Sequence, residues 1–293
     1  MSEPTHGGLI IRPPQYVEEA SYGVFPANPV MQWIGTENQL IQQASPDTRV
    51  LANAGDEDAK IIIGGLERYP VDLTYFLQTS TFAKYATQAQ GGGAGTIDKS
   101  LSLLYSVKLN GVENYVRLLG TRINRLTLRG AQDQLTVCTA ELQSKQVPAP
   151  GSASPIGSGS FATDPATNPF IWSDGGVTPV TIGGVTPNVQ TIEVLFNRSL
   201  RPLANPGDRT ITSLRPGFRI ITGRIGIIWD STTQYSNLLN ETSLTLTWVL
   251  KTGVSVLTLT GVQLRLLERL EYEAGGDTIL ERYAFQARSG TLT

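Results

Sequence analysis

The sequence predicts a mainly β protein built in two halves, each with one short flanking helix. Short segments that alternate apolar and polar residues, and that are rich in β-branched and aromatic types, occur in both halves. A stretch rich in Pro, Gly, Ser and Ala separates them at residues 147–169. The order of segments before this stretch is similar to the order after it. A chain of 293 residues is long enough for two domains that each bury a core.

The predicted strands have the short, regular spacing of antiparallel hairpins. Those of the first half are Tyr105–Leu109, Tyr115–Leu119, Ile123–Leu128 and Leu135–Leu142. Those of the second half are Thr191–Phe196, Phe218–Trp229, Leu244–Leu250, Val254–Leu259, Val262–Leu267 and Ile279–Ala287. Helical spacing predicts one helix per half, at Val71–Thr79 and Ser231–Asn240, with Asp72 and Ser231 as candidate caps.

The Pro- and Gly-rich stretch predicts an interdomain linker, because it offers few large apolar side chains for a core. We therefore divide the chain into a first module at residues 1–146, a linker at 147–168 and a second module at 169–293. The halves also predict an internal duplication. Gly120 and Gly261 each precede a strand that is followed by a partner strand, which gives a shared order of elements with weak residue identity.

Composition argues against nucleic-acid binding and membrane insertion. The 23 Lys and Arg against 25 Asp and Glu leave a net charge of −2, which gives no electrostatic reason to hold a phosphate backbone tightly. No stretch approaches the roughly 18 apolar residues of a membrane span, and the first residues do not resemble a signal peptide. We expect a soluble product made in the cytoplasm.

No catalytic, cofactor-binding or metal-binding residue is predicted. The single cysteine, Cys138, lies in a predicted strand and is expected to be a small buried residue. The single histidine, His6, lies in a terminal segment that is poorly suited to hold a catalytic base. The glycine run Gly91–Gly95 lacks the Gly-Lys-Ser/Thr sequence of a phosphate-binding loop and predicts a plain loop.

The remaining polar and aromatic groups also have structural interpretations. The acidic groups Asp56–Asp58 and Glu271 with Glu273 lack calcium-loop spacing, so solvated loop charge is expected. Strand alternation places Arg125 on the opposite side of its strand from Arg122, so the arginines of this region do not predict a nucleic-acid face. Salt bridges across a subunit contact fit them equally well. The full arginine run is Arg117, Arg122, Arg125 and Arg129, and the tryptophans expected in the core are Trp172, Trp229 and Trp248.

Several sequence blocks, in order along the chain, resemble the tail tube proteins of long-tailed, siphovirus-like bacteriophages. In the first half they are SYGVFP at Ser21–Pro26 and RLLGTRINRLTLRG at Arg117–Gly130. In the second half they are PFIWSDGG at Pro169–Gly176, TIEVLFNRSLRPL at Thr191–Leu203, LRPGFRIITGRIGIIWD at Leu214–Asp230, TTQYSNLLN at Thr232–Asn240 and GGDTILERYAFQAR at Gly275–Arg288. The resemblance spans most of the chain.

This resemblance implies a structural virion protein, not an enzyme, with tail-tube-like modules that are β-sandwiches or partly closed barrels. Strands of neighbouring subunits would join into a ring with a continuous inner β-barrel, and rings would stack into the tube through which DNA is ejected. Ring closure would also pair the exposed sheet edges. If a single-module relative forms a hexamer, a duplicated chain is expected to form a homotrimer with pseudo-sixfold symmetry. The predicted loops Thr36–Lys60 and Lys84–Lys99, with the linker, are candidates for the outer surface or for contacts between rings.

The implied partners are further copies of the chain, the tape measure protein, the tail terminator and the baseplate or tip proteins. DNA would pass through the lumen without specific binding, so the lumen strands should be neutral or acidic. No cofactor or membrane is implied, and the expected location is the virion tail, assembled in the host cytoplasm. Two alternatives stay open: a receptor- or carbohydrate-binding virion protein, and a β-rich hydrolase that uses Asp or Glu.

Overall fold

The computed structural model describes residues 9–42, 45–51, 61–87, 99–177, 179–206, 208–228, 232–272 and 279–293. The protein is mainly β, as the sequence predicts. No helix in these ranges is long and apolar enough to cross a membrane.

The first half contains the strands β1 (Leu9–Glu18), β2 (Gln32–Trp33), β3 (Thr36–Gln42), β4 (Ser45–Leu51), β5 (Ile61–Phe76), β6 (Leu101–Leu109), β7 (Val112–Ala131) and β8 (Val137–Ser144), with the helix α1 (Thr81–Thr87). The second half contains β9 (Val180–Ile182), β10 (Asn188–Asn197), β11 (Arg201–Leu203), β12 (Ser213–Arg215), β13 (Ile220–Ile228), β14 (Leu244–Lys251), β15 (Ser255–Tyr272), β16 (Ile279–Ala287) and β17 (Ser289–Leu292), with the helix α2 (Thr233–Leu239). A short 3₁₀ helix at Trp172–Gly175 leads into the second half.

A long antiparallel sheet runs through both halves. Its order is β3 and β4, β5, β8, β7, β10, β13, β16 and β15, so the halves meet where β7 pairs with β10. We call it the long sheet. Two smaller sheets, which we call the side sheets, are formed by β2, β1, β6 and the start of β7, and by β9, β14, the start of β15 and β17.

Two strands pass from a side sheet into the long sheet through a glycine bend. Gly120 in β7 has φ +62° and Gly261 in β15 has φ +64°, a region that residues with a Cβ rarely adopt. A Cβ at Gly120 would lie 2.7 Å from the Cβ of Lys145, and one at Gly261 would lie 2.7 Å from the Cβ of Arg288. Each bend therefore needs glycine for its backbone angle and for the close approach of the next strand.

The core lies between the long sheet and the side sheets. In the first half Phe82 of α1 contacts Tyr16 of β1 and Tyr75 of β5, with ring centroids 5.1 and 6.0 Å apart. In the second half Trp248 of β14 packs so close to the long sheet that a Cβ at Gly130 would lie 2.4 Å from its ring. Burial of these aromatic side chains is the main source of stabilisation at both contacts.

The structure corrects two predictions about local structure. The predicted helix at Val71–Thr79 is wrong, because Val71, Leu73 and Tyr75 are buried at alternate positions and belong to β5. The helix of this half begins later, at Thr81. The predicted loop Thr36–Lys60 contains β3 and β4, whereas the second predicted helix agrees with α2.

The Pro- and Gly-rich segment lies against the first half. Ile156 is buried beside Met31 and Leu104, and the backbone of Ala162 exchanges two hydrogen bonds of 2.9 Å with the side chain of Gln15. Phe161 stacks on a tyrosine of β7 with a centroid distance of 6.2 Å. The division into modules at 146 and 169 stays a prediction, and the segment between them has specific contacts.

Candidate functional site

The long sheet has one apolar and one polar face. Alternate residues of each strand point into the core, such as Leu126 and Leu128 of β7 and Ile192 and Val194 of β10. The residues between them form the opposite face, which we call the polar face. The candidate functional site of this protein is this extended surface together with the two edges of the long sheet.

A row of charged residues crosses the polar face from strand to strand. Arg129 of β7 lies opposite Glu193 of β10, which in turn lies opposite Arg224 of β13. The Arg129 Nε donates to the Glu193 carboxylate at 2.9 Å. Farther along the row, Ala284 of β16 lies opposite Arg265 of β15. One carboxylate thus stands between two arginines.

A second charged row runs through β5, β8 and β7. Asp72 lies opposite Glu141, and Glu141 lies opposite Arg125. The Arg125 guanidinium donates to the Glu141 carboxylate at 3.2 Å. Between the two charged rows lies an uncharged row of Thr and Gln with one Leu: Gln39, Thr74, Thr139, Thr127, Leu195, Thr222, Gln286 and Gln263.

The predicted separation of Arg122 and Arg125 onto opposite sides is wrong. Arg122 pairs with Gln143 and Arg125 pairs with Glu141, two residues along β8, so both arginines share the polar face. An irregularity between Ile123 and Arg125 adds one residue to β7 and resets the alternation. A bulge of this kind cannot be read from a hydrophobic pattern.

A hollow of about 550 Å³ lies on the polar face around the first charged row. Arg129, Glu193, Arg224 and Arg282 line it, and Gly226 leaves room at its floor. The hollow is open, and apolar residues such as Leu135 and Ile192 line it beside the charged ones, unlike the enclosed apolar pocket that small ligands prefer.

The two edges of the long sheet have no strand partner among the described residues. At one edge β3 and β4 pair with β5 alone, and at the other the end of β15, from residue 263 onward, pairs with β16 alone. Unpaired backbone N–H and C=O groups at such edges can pair with a strand of another chain.

Other residues considered in the sequence have structural positions where they are described. Cys138 is fully buried in β8, and burial raises the pKa of its thiol to about 12, so the thiolate needed for reactivity does not form near neutral pH. Trp172 and Trp248 are buried and contact each other at 6.3 Å. No group of metal-ligating side chains is found in the described ranges.

Several of the sequence candidates lie outside the described residues. These are His6, Gly91–Gly95, Asp56–Asp58, Glu273, Trp229, the candidate cap Ser231 and residues 88–98 of the predicted loop Lys84–Lys99. Glu193, Arg224, Arg265 and Arg282 were not singled out in the sequence, although the alternation of Glu193 with Ile192 and Val194 marks it as pointing away from the core.

The sequence of nearly the whole chain matches a model of one protein family. The family model described as phage tail tube protein matches residues 15–287, which is nearly the whole chain. The chain belongs to the phage tail tube protein family. A tail tube protein is a structural component of the virion tail that assembles with copies of itself, and it is not an enzyme. A search of curated proteins finds no significant match.

Membership in the tail tube family bears on the alternatives. The family is structural, so a β-rich hydrolase is excluded. The family match gives no support to a receptor- or carbohydrate-binding role. Sheet edges without a partner, such as those of the long sheet, can pair with strands of another chain.

Proposed function

We propose that this tail tube protein forms homotrimeric rings that stack into the conduit for DNA ejection. The observation that carries the proposal is the junction of β7 with β10, where two halves of similar plan already join into one antiparallel sheet within a single chain. The same kind of junction, repeated between chains, would close a ring.

The two halves are related strand by strand. In each half a side-sheet hairpin, β6–β7 or β14–β15, continues through its glycine bend into the long sheet. The next strand, β8 or β16, then pairs with the strand that left the bend. In this relation β15 corresponds to β7, and β3 with β4 corresponds to β10.

The correspondence defines the expected contact between chains. The end of β15 should pair with β3 and β4 of the next subunit, as β7 pairs with β10 inside the chain. Arg265 corresponds to Arg125. Arg265 pairs with Ala284, four residues before Arg288 at the Gly261 bend, and Arg125 pairs with Glu141, four residues before Lys145 at the Gly120 bend. Both unpaired edges would then be used, and none would remain exposed to aggregation.

A trimer follows from the same correspondence. Each half contributes four positions to the long sheet, so three chains supply six similar units, as six single-module subunits would. In the closed ring the apolar face of the long sheet is covered by the side sheets. We therefore infer that the polar face lines the lumen.

The proposed partners follow from the role of a tube. They are copies of the chain within and between rings, the tape measure protein inside the tube, and the tail terminator and the baseplate or tip proteins at its ends. DNA would cross the lumen without specific binding, and the tail would assemble in the host cytoplasm. The exposed side chain of Phe218, 92% accessible, is a candidate for contact with a neighbouring ring.

A disulfide experiment tests the ring contact. Asn197 pairs with Arg125 inside the chain, and Ser45 holds the corresponding position in β4, because Ser45 pairs with Arg68 as Asn197 pairs with Ile220. Adjacent strands lie about 4.8 Å apart, so the two edges of one open long sheet are about 34 Å apart. A chain carrying Ser45→Cys and Arg265→Cys can then cross-link only to other chains.

Oxidised S45C/R265C protein should give dimers and trimers on a non-reducing gel, and no larger species. The control variant N197C/R125C should cross-link within one chain and run as a monomer. Buried Cys138 should not interfere. A ladder ending at six chains would overturn the trimer, and absence of cross-linked species together with absence of tubes in negative-stain electron microscopy would overturn the ring.

A further inference from the structure

Two arginines of the polar face, Arg125 and Arg129, form exposed ion pairs with Glu141 and Glu193 that contribute little to folding stability. The Arg129 and Glu193 side chains are 61% and 38% exposed, and those of Arg125 and Glu141 are 47% and 42% exposed. Ion pairs that are this exposed contribute little to stability, because water screens them. Their effect on the charge of the surface is much larger.

Glu193 has two arginines as cross-strand neighbours, Arg129 on β7 and Arg224 on β13. Directly opposite residues of antiparallel strands lie within about 5.5 Å of each other at their Cβ atoms. Removal of the Glu193 charge would leave two arginines on either side of β10, about 10 Å apart, facing the hollow that Arg282 also lines. Such a cluster is the usual means of binding phosphate groups.

Glu141 differs in its surroundings. It neutralises Arg125 at 3.2 Å, and Asp72 lies opposite it on β5, at the next position in the same row. If the Glu141 charge is removed, the Asp72 carboxylate still lowers the local potential. The structure therefore ranks Glu193 above Glu141 in its effect on the polar face.

We propose that Glu193, and to a lesser degree Glu141, are masking residues that prevent the arginines of the polar face from holding a polyanion. This rests on the proposed function, in which the polar face lines the lumen and the polyanion is the phosphate backbone of DNA. In this proposal Glu193 and Glu141 lower the positive potential around the arginines that they contact, Arg129 and Arg125.

The test uses wild-type protein, Glu193→Gln and Glu141→Gln. Glu113→Gln is the matched control, because Glu113 forms a similar pair with Arg12 at 3.0 Å in a side sheet, away from the polar face. Tubes are verified by negative-stain electron microscopy and sedimented with a fluorescent single-stranded oligonucleotide over a range of salt concentrations. The fraction of oligonucleotide retained is measured.

E193Q tubes should retain the oligonucleotide more strongly than wild type, with a log–log salt slope steeper by about 0.7 from Arg129 alone and by about 1.4 when Arg224 also contacts a phosphate. E141Q should steepen it by about 0.7 or less. E113Q should behave as wild type, and the double variant E193Q/R129Q should fall well below E193Q. Equal retention by E193Q and E113Q would overturn the proposal.

Failure of the tube itself gives a separate result. If neither wild type nor variants form tubes, the proposed function fails, and oligonucleotide binding is then measured by fluorescence anisotropy on the unassembled chain, where the polar face is exposed. E193Q should again exceed E113Q there. Retention that increases equally in E193Q and E193Q/R129Q would show that a structural change, and not released arginine charge, is responsible, and would also overturn the proposal.

Discussion

The two glycine bends have nearly the same φ, +62° and +64°, but are stabilised differently. At the first bend the carboxylate of buried Glu19 accepts the N–H groups of Gly23 and Gly120, both at 2.8 Å, and the hydroxyls of Ser100 and Ser102. At the second bend, among the described residues, no carboxylate bonds the Gly261 backbone. The backbone N–H of Arg288 donates to the carbonyls of Thr260 and Gly261, just as the backbone N–H of Lys145 donates to Leu119 at the first bend, so the carboxylate is what distinguishes the two.

The outer strand of the side sheet is also longer at the first bend than at the second. β1, which ends beside Glu19, has ten residues and pairs along most of β6, whereas β9, its counterpart beside β14, has three. The same plan of strands is thus compatible with a polar, densely hydrogen-bonded bend or with a simpler one. The fold depends on the glycine conformation, and each half satisfies the surrounding polar groups in its own way.

The largest expected effect is at Glu19. Replacement by Gln should lower the free energy of unfolding by about 3 kcal/mol. The amide NH₂ of Gln would face N–H and hydroxyl donors whose hydrogen bonds the carboxylate accepts. Glu281→Gln is the control, since Glu281 is a buried glutamate of the second half that accepts a hydrogen bond from Tyr283. Urea unfolding measures both. Equal losses would mean that the first bend has no special dependence on its carboxylate.

The bends themselves should respond equally to loss of glycine. Gly120→Ala and Gly261→Ala should each cost about 2 kcal/mol, because both combine a positive φ with a close Cβ contact. Gly111→Ala and Gly253→Ala, in the two hairpin turns, have positive φ but open space and should cost about 1 kcal/mol. Thermal unfolding compares the four. A clear difference between the two bend variants would contradict their equivalence.

The next largest expected effect is in the segment at residues 147–168, which packs against the first half and is part of neither module. Phe161→Ala should cost about 1 kcal/mol, since the ring stacks on Tyr115 and lies under the Arg12 guanidinium at 4.1 Å. In the Phe161→Ala variant, backbone amides of residues 147–168 should exchange with deuterium faster than in wild type. Phe218→Ala, at a fully accessible ring, is the control and should change stability by less than about 0.5 kcal/mol. Unchanged exchange in the Phe161 variant would show that other contacts hold the segment.

The smallest expected effect is pH-dependent and confined to the first side sheet. Hydrogen bonding from Ser106, with Arg12 nearby, lowers the pKa of Glu113 below its ordinary value of 4.5. Because the folded pKa is the lower one, the contribution is present above the unfolded pKa and disappears as pH falls through the folded pKa. Glu113→Gln should therefore lose less than about 1 kcal/mol at pH 7 and nothing near pH 2. Denaturation at the two pH values checks this, and an equal loss at both would contradict it.

Much of the fold was predictable because alternation in strands is a local property. The longer strands from β6 onward contain segments that the sequence predicts, and Gly120 and Gly261 mark the similar order of the halves; the short strands β9, β11, β12 and β17, like β1 to β4, were not predicted. β5 was missed, although Val71, Leu73, Tyr75 and Leu77 alternate with period two and are all buried. A pair of apolar residues four apart, Leu73 and Leu77, also fits a helix, and a short window cannot separate the two periods.

The site was less predictable than the fold. The sequence separates Tyr115–Leu119 from Ile123–Leu128, but the structure makes them one strand, because the bend at Gly120 is held by contacts with distant residues. The bulge beside Arg125 moved this arginine onto the face of Arg122. Both results depend on how neighbouring strands pack, which alternation within one strand does not specify.

The sequence by itself determined the mainly β class, the similar order of strands in the two halves and the absence of a strong net charge, since these follow from residue types and local spacing. Only the tertiary structure decided that β7 pairs with β10, that Glu193 stands between Arg129 and Arg224, and which edges stay unpaired. Such pairings join residues far apart in the chain, and their register is fixed by the shared core, the glycine bends and the bulges.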